Sequence, residues 1–156
     1  MGLRVFNTLS RSVEPFVPLN PDGKKVGIYC CGPTVHDFAH IGNFRTFVFA
    51  DIVRRHLTFR GFDVRHVMNI TDVEDKIIRR VNKSGKSLAE FTGEREQAFF
   101  ADLEALGCQM PDERPHATEF IGPIIKLIKK LEANGIAYHA NDGSVYFSIE
   151  KYRKAG

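Results

Sequence analysis

Residues 26–43 read VGIYCCGPTVHDFAHIGN, and the expected architecture follows from them. Its first six residues, Val26 to Cys31, form a short apolar run of the kind found in buried strands. Gly32 and Pro33 interrupt that run. Because periodic apolar positions resume after Asn43, the stretch predicts a strand, a loop and the start of a helix.

The sequence that follows predicts a parallel sheet. Apolar residues recur at three- and four-residue spacing between Asn43 and Arg60, which predicts a helix that ends at Gly61. Residues 62–69 alternate polar and apolar side chains as a second strand does. A strand, a helix and a second strand in this order are typical of a crossover between parallel strands. The expected fold class is therefore α/β.

Capping residues and turn residues predict the remaining elements. Three helices are expected from their caps: Asp72 for a helix through 82, Ser87 for one over 88–106, and Thr118 for one through 134. A short third strand is expected at 107–110. Residues 8–25 are rich in Pro, Asn, Asp and Gly, so they are predicted to be irregular.

The carboxyl-terminal part predicts a change of architecture. Segments 136–140 and 144–149 flank Asn141-Asp142-Gly143, which is a favourable hairpin turn. Because a hairpin replaces the crossover connection here, we place a domain boundary near Gly135 and divide the sequence into 1–134 and 135–156. The polar end at 151–156 carries no stop signal, so we expect the natural sequence to continue.

Composition sets broad limits on function. The 156 residues are 43% hydrophobic and 26% charged, which is ordinary for one globular domain. The net charge of +3 permits a polyanionic partner. No apolar run approaches the length of a membrane span and no leader pattern is present, so we expect a cytoplasmic protein. Three cysteines favour free or metal-binding thiols over disulfides.

The start of the first long helix is a candidate phosphate site. Free amide groups and the helix dipole favour anions at a helix amino terminus. His40 and Asn43, three residues apart, could both face one triphosphate. Gly42 between them would let a nucleotide approach the backbone closely.

These residues also carry a resemblance to a known family. The tetrapeptide 40–43 resembles the HIGH signature of class I aminoacyl-tRNA synthetases, with Asn in place of the last His. Three longer tracts resemble the cysteinyl enzymes in particular: YCCGPTVHD at 29–37, NITDVEDKII at 69–78 and RPHATE at 114–119. The similarity covers essentially the whole sequence. It implies that 1–134 is the first half of a Rossmann-like nucleotide-binding catalytic domain and that 135–156 begins a β-containing connective insertion.

The resemblance implies a cysteine–tRNA ligase. Such an enzyme joins L-cysteine to ATP, which arrives with Mg²⁺, and then transfers the cysteinyl group to tRNA(Cys). The site residues that it implies are His40 and Asn43 for catalysis; Thr34, His40, Gly42 and Asn43 for ATP; and Gly32, Thr34 and Thr71 for the amino acid.

The resemblance further implies a zinc ion that binds the thiolate of the substrate. Cysteine differs from serine by one atom, which pocket shape discriminates poorly, whereas zinc strongly prefers thiolate. Cys31 matches the first zinc ligand of the family. Neighbouring strand residues point to opposite faces, so Cys30 would not share that role. The other zinc ligands and the KMSKS loop are expected beyond Gly156, so we expect the 156 residues alone to be inactive.

Two alternatives remain open at this stage. One is the related ligase that joins cysteine to an amino-sugar without tRNA. The other is a non-catalytic fragment that binds nucleotide.

Overall fold

The computed structural model describes residues Gly2–Ala155, and the chain divides into two compact units at Pro115/His116. The first unit contains β1 (Arg4–Asn7), β2 (Ser12–Pro15), β3 (Lys25–Cys30), α1 (Ile41–Phe59), β4 (Asp63–Met68), α2 (Asp75–Ser84) and α3 (Leu88–Ala105). The second contains a 3-10 turn (Ala117–Phe120), α4 (Ile121–Ala133), β5 (Ala137–His139), β6 (Val145–Phe147) and α5 (Ile149–Ala155). Within Gly2–Ala155 no helix is long and apolar enough to cross a membrane.

The centre of the first unit is a parallel pair of strands joined through α1. β3 and β4 pair in parallel from Lys25 opposite Asp63 to Cys30 opposite Met68. Gly61, at φ +88°, closes α1 in a conformation that favours glycine. The predicted α/β class with a parallel sheet is therefore confirmed.

An aromatic cluster fixes α1 against α3. Phe99 of α3 stacks on Phe44, with ring centroids 5.5 Å apart, and meets Phe47 edge-on at 4.8 Å. Met68 of β4 and Leu103 of α3 complete this cluster. Each fully buried side chain of this size contributes about 1.5–3 kcal/mol, so the cluster holds the start of α1 rigidly against the rest of the unit.

The predicted cap of the first short helix is wrong. α2 begins at Asp75, and Asp72 lies buried inside the unit. The reason is that the chain after β4 stays extended: Thr71 forms a parallel bridge with Thr34, so the helix starts later. The predicted Ser87 cap of α3 is confirmed, because its Oγ accepts a bond from the Glu90 amide at 3.3 Å.

The predicted third strand at 107–110 is also wrong. Side chains of α1 form hydrogen bonds with backbone groups of this segment. Those backbone groups would have to pair with a neighbouring strand if the segment were a strand. Arg55 donates to the Gly107 carbonyl at 2.7 Å, and the Gln109 amide donates to Asp51 Oδ1 at 2.9 Å. Arg54 binds the Met110 carbonyl in the same way at 2.6 Å.

The lead-in is not irregular throughout, because β1 and β2 form an antiparallel hairpin. The turn is stabilised by Asn7 Oδ1, which accepts a bond from the Leu9 amide at 3.0 Å. The sequence did not predict β2, because the segment is polar and rich in Pro and the residues of the strand are mostly exposed.

One histidine of β4 is buried. His66 is 3% exposed, and neither ring nitrogen has a partner within the described residues. Burial, and secondarily the nearby Arg54, lowers its pKa below the usual value, while Asp112 and Asp51 act in the opposite direction. Near neutral pH the folded state therefore favours the uncharged form of this ring.

The second unit confirms one prediction and corrects another. β5 and β6 form the predicted antiparallel hairpin, with Gly143 at φ +83° in its turn. Thr118 does not cap α4, because the 3-10 turn precedes that helix and the His116 amide donates to Glu119 Oε2 at 3.1 Å. The predicted boundary at 134/135 separates a catalytic domain from an inserted segment, whereas the division at 115/116 separates two compact units. The predicted boundary therefore stays a prediction.

Candidate functional site

The loops that follow β3 and β4 are joined at the carboxyl ends of the strands. The Val35 amide donates to the Thr71 carbonyl at 3.1 Å, and the Thr71 amide donates to the Pro33 carbonyl at 3.0 Å. Thr34 and Thr71 are bridge partners. The structure thus places two of the predicted amino-acid-binding residues side by side. In open α/β sheets ligands bind at this edge.

Gly32 begins this junction and has no room for a side chain. Its amide donates to Asn69 Oδ1 at 3.0 Å. A Cβ atom at this position would lie 1.7 Å from the Asn69 carbonyl oxygen and 2.9 Å from Met68 Cγ. The glycine is therefore required for the two loops to approach each other.

His40 is the amino-terminal cap of α1, and its hydrogen bond indicates which ring nitrogen accepts. Its Nδ1 accepts a bond from the Gly42 amide at 3.1 Å. Because Nδ1 is an acceptor, a neutral ring carries its proton on Nε2. His40 therefore presents an N–H donor through Nε2, at the end of the helix where the dipole favours negative charge.

The other two residues of the predicted phosphate motif support this arrangement. A Cβ atom at Gly42 would lie 2.9 Å from Cε1 of the imidazole, so this glycine makes room for His40 itself. Asn43 Oδ1 accepts a bond from the His40 amide at 3.0 Å. That bond fixes the Asn43 side chain and leaves its Nδ2 amide as the group available to a ligand.

A cavity of about 480 Å³ opens over this loop and the start of α1. Five predicted site residues line it, and residues of α1, α3 and the loop complete the wall. The lining residues are Gly32, Pro33, Thr34, Val35, His36, Asp37, Phe38, Ala39, His40, Gly42, Asn43, Thr46, Phe47, Arg95 and Phe99. Cys31 and Thr71, also predicted, adjoin the lining residues in sequence and pairing but do not line the cavity.

Arg95 was not predicted from the sequence. It lies on α3, and its guanidinium carbon is 3.4 Å from the ring centre of Phe91 and 5.4 Å from that of Phe38. Its Nη1 donates to the Phe91 carbonyl at 2.7 Å. No local pattern links Arg95 to the motif at 29–43, because packing of α3 against α1 alone brings it to the cavity.

Arg80 of α2 holds the loop that lines the cavity. Its Nη1 lies 2.8 Å from Asp37 Oδ2 and donates to the His36 carbonyl at 3.0 Å. The bond from Arg80, and then the bond from the Phe38 amide, lowers the pKa of Asp37. The carboxylate is therefore ionised and paired near neutral pH.

The cysteines differ in exposure. Cys31 is exposed, whereas Cys30 is half-buried and burial raises the pKa of its thiol. Among residues 2–155 no group of three or more His, Cys, Asp or Glu side chains could hold a metal ion. A zinc site needs about four ligands, so these residues do not fit a complete zinc site, and Cys31 as one ligand stays a prediction.

A parallel strand pair, a helix capped by His-Ile-Gly-Asn and a cavity at the strand ends define an α/β domain of the nucleotide-binding type. A family model described as "tRNA synthetases class I (C) catalytic domain" matches residues 16–156. The chain therefore belongs to the family of class I tRNA synthetase catalytic domains.

Curated relatives agree with this assignment. The chain is 50% identical to a cysteine–tRNA ligase of Chlamydia muridarum over 156 residues, which are 100% of this chain and 32% of the relative. It is 46% identical to that of Koribacter versatilis, over 100% of this chain and 31% of the relative. It is 47% identical to a cysteine–tRNA ligase of Burkholderia mallei, over 99% of this chain and 33% of the relative. The chain thus spans about a third of the length of the curated relatives that it matches.

A solved structure shares the fold. The agnB2 LeuRS of Agrobacterium radiobacter K84, determined as a ternary complex with tRNA and LeuAMS, superposes with a TM-score of 0.65. The match covers 78% of this chain and 16% of the LeuRS, at 22% identity.

Proposed function

We propose that these residues act in a cysteine–tRNA ligase, which activates L-cysteine with ATP and transfers the cysteinyl group to tRNA(Cys) in the cytoplasm. The observation that carries the proposal is the 50% identity to a cysteine–tRNA ligase along the whole chain. The position of His40 at the cap of α1, on a cavity, supports it. The names of the relatives favour this reading over a cysteine–amino-sugar ligase.

The roles follow from the donors in the cavity. In adenylate formation the carboxylate of cysteine attacks the α-phosphate of ATP, and pyrophosphate leaves. The protein needs to hold these groups in line and to stabilise the charge on the phosphate oxygens. We assign His40 Nε2–H and Asn43 Nδ2–H to those oxygens and Gly42 to the placement of the imidazole. Thr34, with Gly32 and Thr71 beside it, is assigned to substrate binding.

The metals enter this proposal in a limited way. Mg²⁺ would accompany ATP as part of the substrate. Zinc, when bound, would supply recognition of the substrate thiolate, and the exposed Cys31 would be one of its ligands. The remaining ligands are not supplied by residues 2–155 as they are arranged here.

The test is cysteine-dependent exchange between ATP and pyrophosphate. It would be measured for the 156 residues alone and for the same residues in a chain of the relatives' length. In the long chain, His40→Ala should slow exchange about 30- to 1000-fold, the effect of removing one transition-state donor. His56→Ala, an exposed histidine on the same helix, is the matched control. Absence of cysteine-dependent exchange in the long chain would end the proposal.

A non-catalytic role remains the second candidate for the 156 residues taken alone. The observation that supports it is an apolar face of α1 that is left exposed. Phe49 is 66% exposed, Ile52 57% and Phe59 86%. We therefore expect nucleotide binding but no exchange from this chain, and measurable exchange by it would contradict that expectation.

A further inference from the structure

We propose that Arg95 binds phosphate oxygens of the nucleotide in the 480 Å³ cavity. The inference rests on the proposed function and adds a residue from α3 to the donors near the start of α1. Three observations carry it: the charge balance of the lining, the way in which Arg95 is held, and the convergence of donors.

The charge balance favours an anion. Apart from histidines, the charged side chains of the lining are Asp37 and Arg95. Asp37 is already paired with Arg80 at 2.8 Å. The carboxylate nearest to Arg95 among the described ion pairs is that of Glu94, at 3.8 Å, and its other oxygen lies 2.5 Å from Lys86 Nζ. Arg95 therefore brings a positive charge to the cavity wall, 3.8 Å from a carboxylate that is already paired with Lys86.

Arg95 is held in place before any ligand arrives. Its side chain is 15% exposed, its guanidinium lies against the Phe91 ring, and Nη1 is bonded to the Phe91 carbonyl. Its Nε is buried and has no hydrogen-bond partner among residues 2–155. A largely buried guanidinium with an unpaired N–H is costly unless an anion completes it. Because the side chain is already ordered, an anion would bind with little further loss of conformational entropy.

The donors around the cavity suit a polyphosphate. Arg95, His40 and Asn43 line the same space from two helices. A guanidinium binds two oxygens of one phosphate through its planar fork. An amino-acid carboxylate has two oxygens and one charge, whereas a triphosphate has enough oxygens to engage all three side chains. We therefore assign the anion to the triphosphate.

The experiment is an NMR titration of the ¹⁵N-labelled 156-residue chain. The probes are ATP, inorganic tripolyphosphate, adenosine and L-cysteine. The variants are Arg95→Met and Arg95→Lys, and the matched control is Arg153→Met, which removes an exposed arginine of α5 in the second unit. The spectrum itself reports whether each variant is folded.

Arg95→Met should weaken ATP and tripolyphosphate roughly 10-fold or more, the effect of losing a hydrogen-bonded charge. Adenosine binding should change less than about twofold, because adenosine carries no charge for Arg95 to bind. Arg95→Lys, which keeps the charge but loses the fork, should fall between, and Arg153→Met should bind as the wild type does.

Four results would overturn the inference. Equal binding of ATP by wild type and Arg95→Met would remove Arg95 from the site and leave the proposed function intact. Equal weakening of ATP and adenosine would show a structural role. Loss of L-cysteine binding alone would assign Arg95 to the carboxylate. Absence of tripolyphosphate binding by the wild-type chain would refute the anion site, while pyrophosphate exchange would still decide the proposed function.

Discussion

Gly32→Ala tests whether the junction between the two strand ends is as tight as the structure shows. The added methyl carbon would lie 1.7 Å from the Asn69 carbonyl oxygen and 2.9 Å from its carbonyl carbon. Both are backbone atoms, which cannot rotate away as a flexible side chain would. The loops after β3 and β4 must therefore separate, and the Gly32 amide would lose its bond to Asn69 Oδ1.

The cost follows from two contributions. Forcing extra atoms into a packed site costs typically about 1–3 kcal/mol, and a backbone collision belongs at the upper end. Loss of a partly buried hydrogen bond adds about 1 kcal/mol. We expect Gly32→Ala to lower the free energy of unfolding of the first unit by about 3 kcal/mol or more.

Urea unfolding, followed by NMR signals of β3 and β4, would measure this free energy separately from the second unit. Gly27→Ala is the matched control, because it lies in the same strand and a Cβ there has no atom within 4 Å. That change should be neutral or stabilising by up to about 1 kcal/mol, since alanine restricts the unfolded chain. A cost below about 1 kcal/mol for Gly32→Ala would contradict this prediction, because it would show that the two loops can separate easily.

Three further predictions concern the loop, the buried histidine and the thiols. Arg80→Gln should lower the free energy of unfolding by less than about 1 kcal/mol, because the ion pair to Asp37 is half exposed. It should nevertheless speed amide hydrogen exchange in the loop before α1. Unchanged exchange, or an equal effect of Arg79→Gln, would contradict this prediction. The free energy of unfolding should fall as pH is lowered from 6.5, because unfolded His66 takes up a proton before the folded, buried ring does. Urea titrations at several pH values should show that this free energy depends less on pH in His66→Phe. An equal dependence on pH in the variant and the wild type would refute this prediction. Mass spectrometry after brief alkylation should find Cys31 modified well before Cys30 and Cys108, because burial raises the pKa of those two half-buried thiols. Equal alkylation rates for the three thiols would contradict this prediction.

Local patterns predicted the elements whose signals are local. The apolar run at β3, the periodic positions of α1 and the alternation of β4 indicated a parallel unit, and the structure contains it. Ser87 with Glu90 three residues later forms a capping box, and α3 begins there. Such features depend on neighbours within a few residues, so the sequence displays them directly.

The predictions of secondary structure were wrong where contacts between distant residues competed with local preference. Asp72 has the chemistry of a cap, but pairing of Thr71 with Thr34 keeps its segment extended and buries it. Segment 107–110 has the length of a strand, but Arg55 and Asp51 of α1 bind its backbone groups. No window of sequence around either segment contains the residue that decides its conformation.

The candidate site divides in the same way. The motif at 29–43, its family and the candidate donors His40 and Asn43 could be recognised without a structure, because a helix amino terminus and its cap are local features. Three further facts required the folded arrangement: Gly42 makes room for an imidazole, Gly32 closes the strand junction and Arg95 lines the cavity. Those facts depend on packing between α1, α3 and the strand ends, and packing joins residues that are distant in the chain.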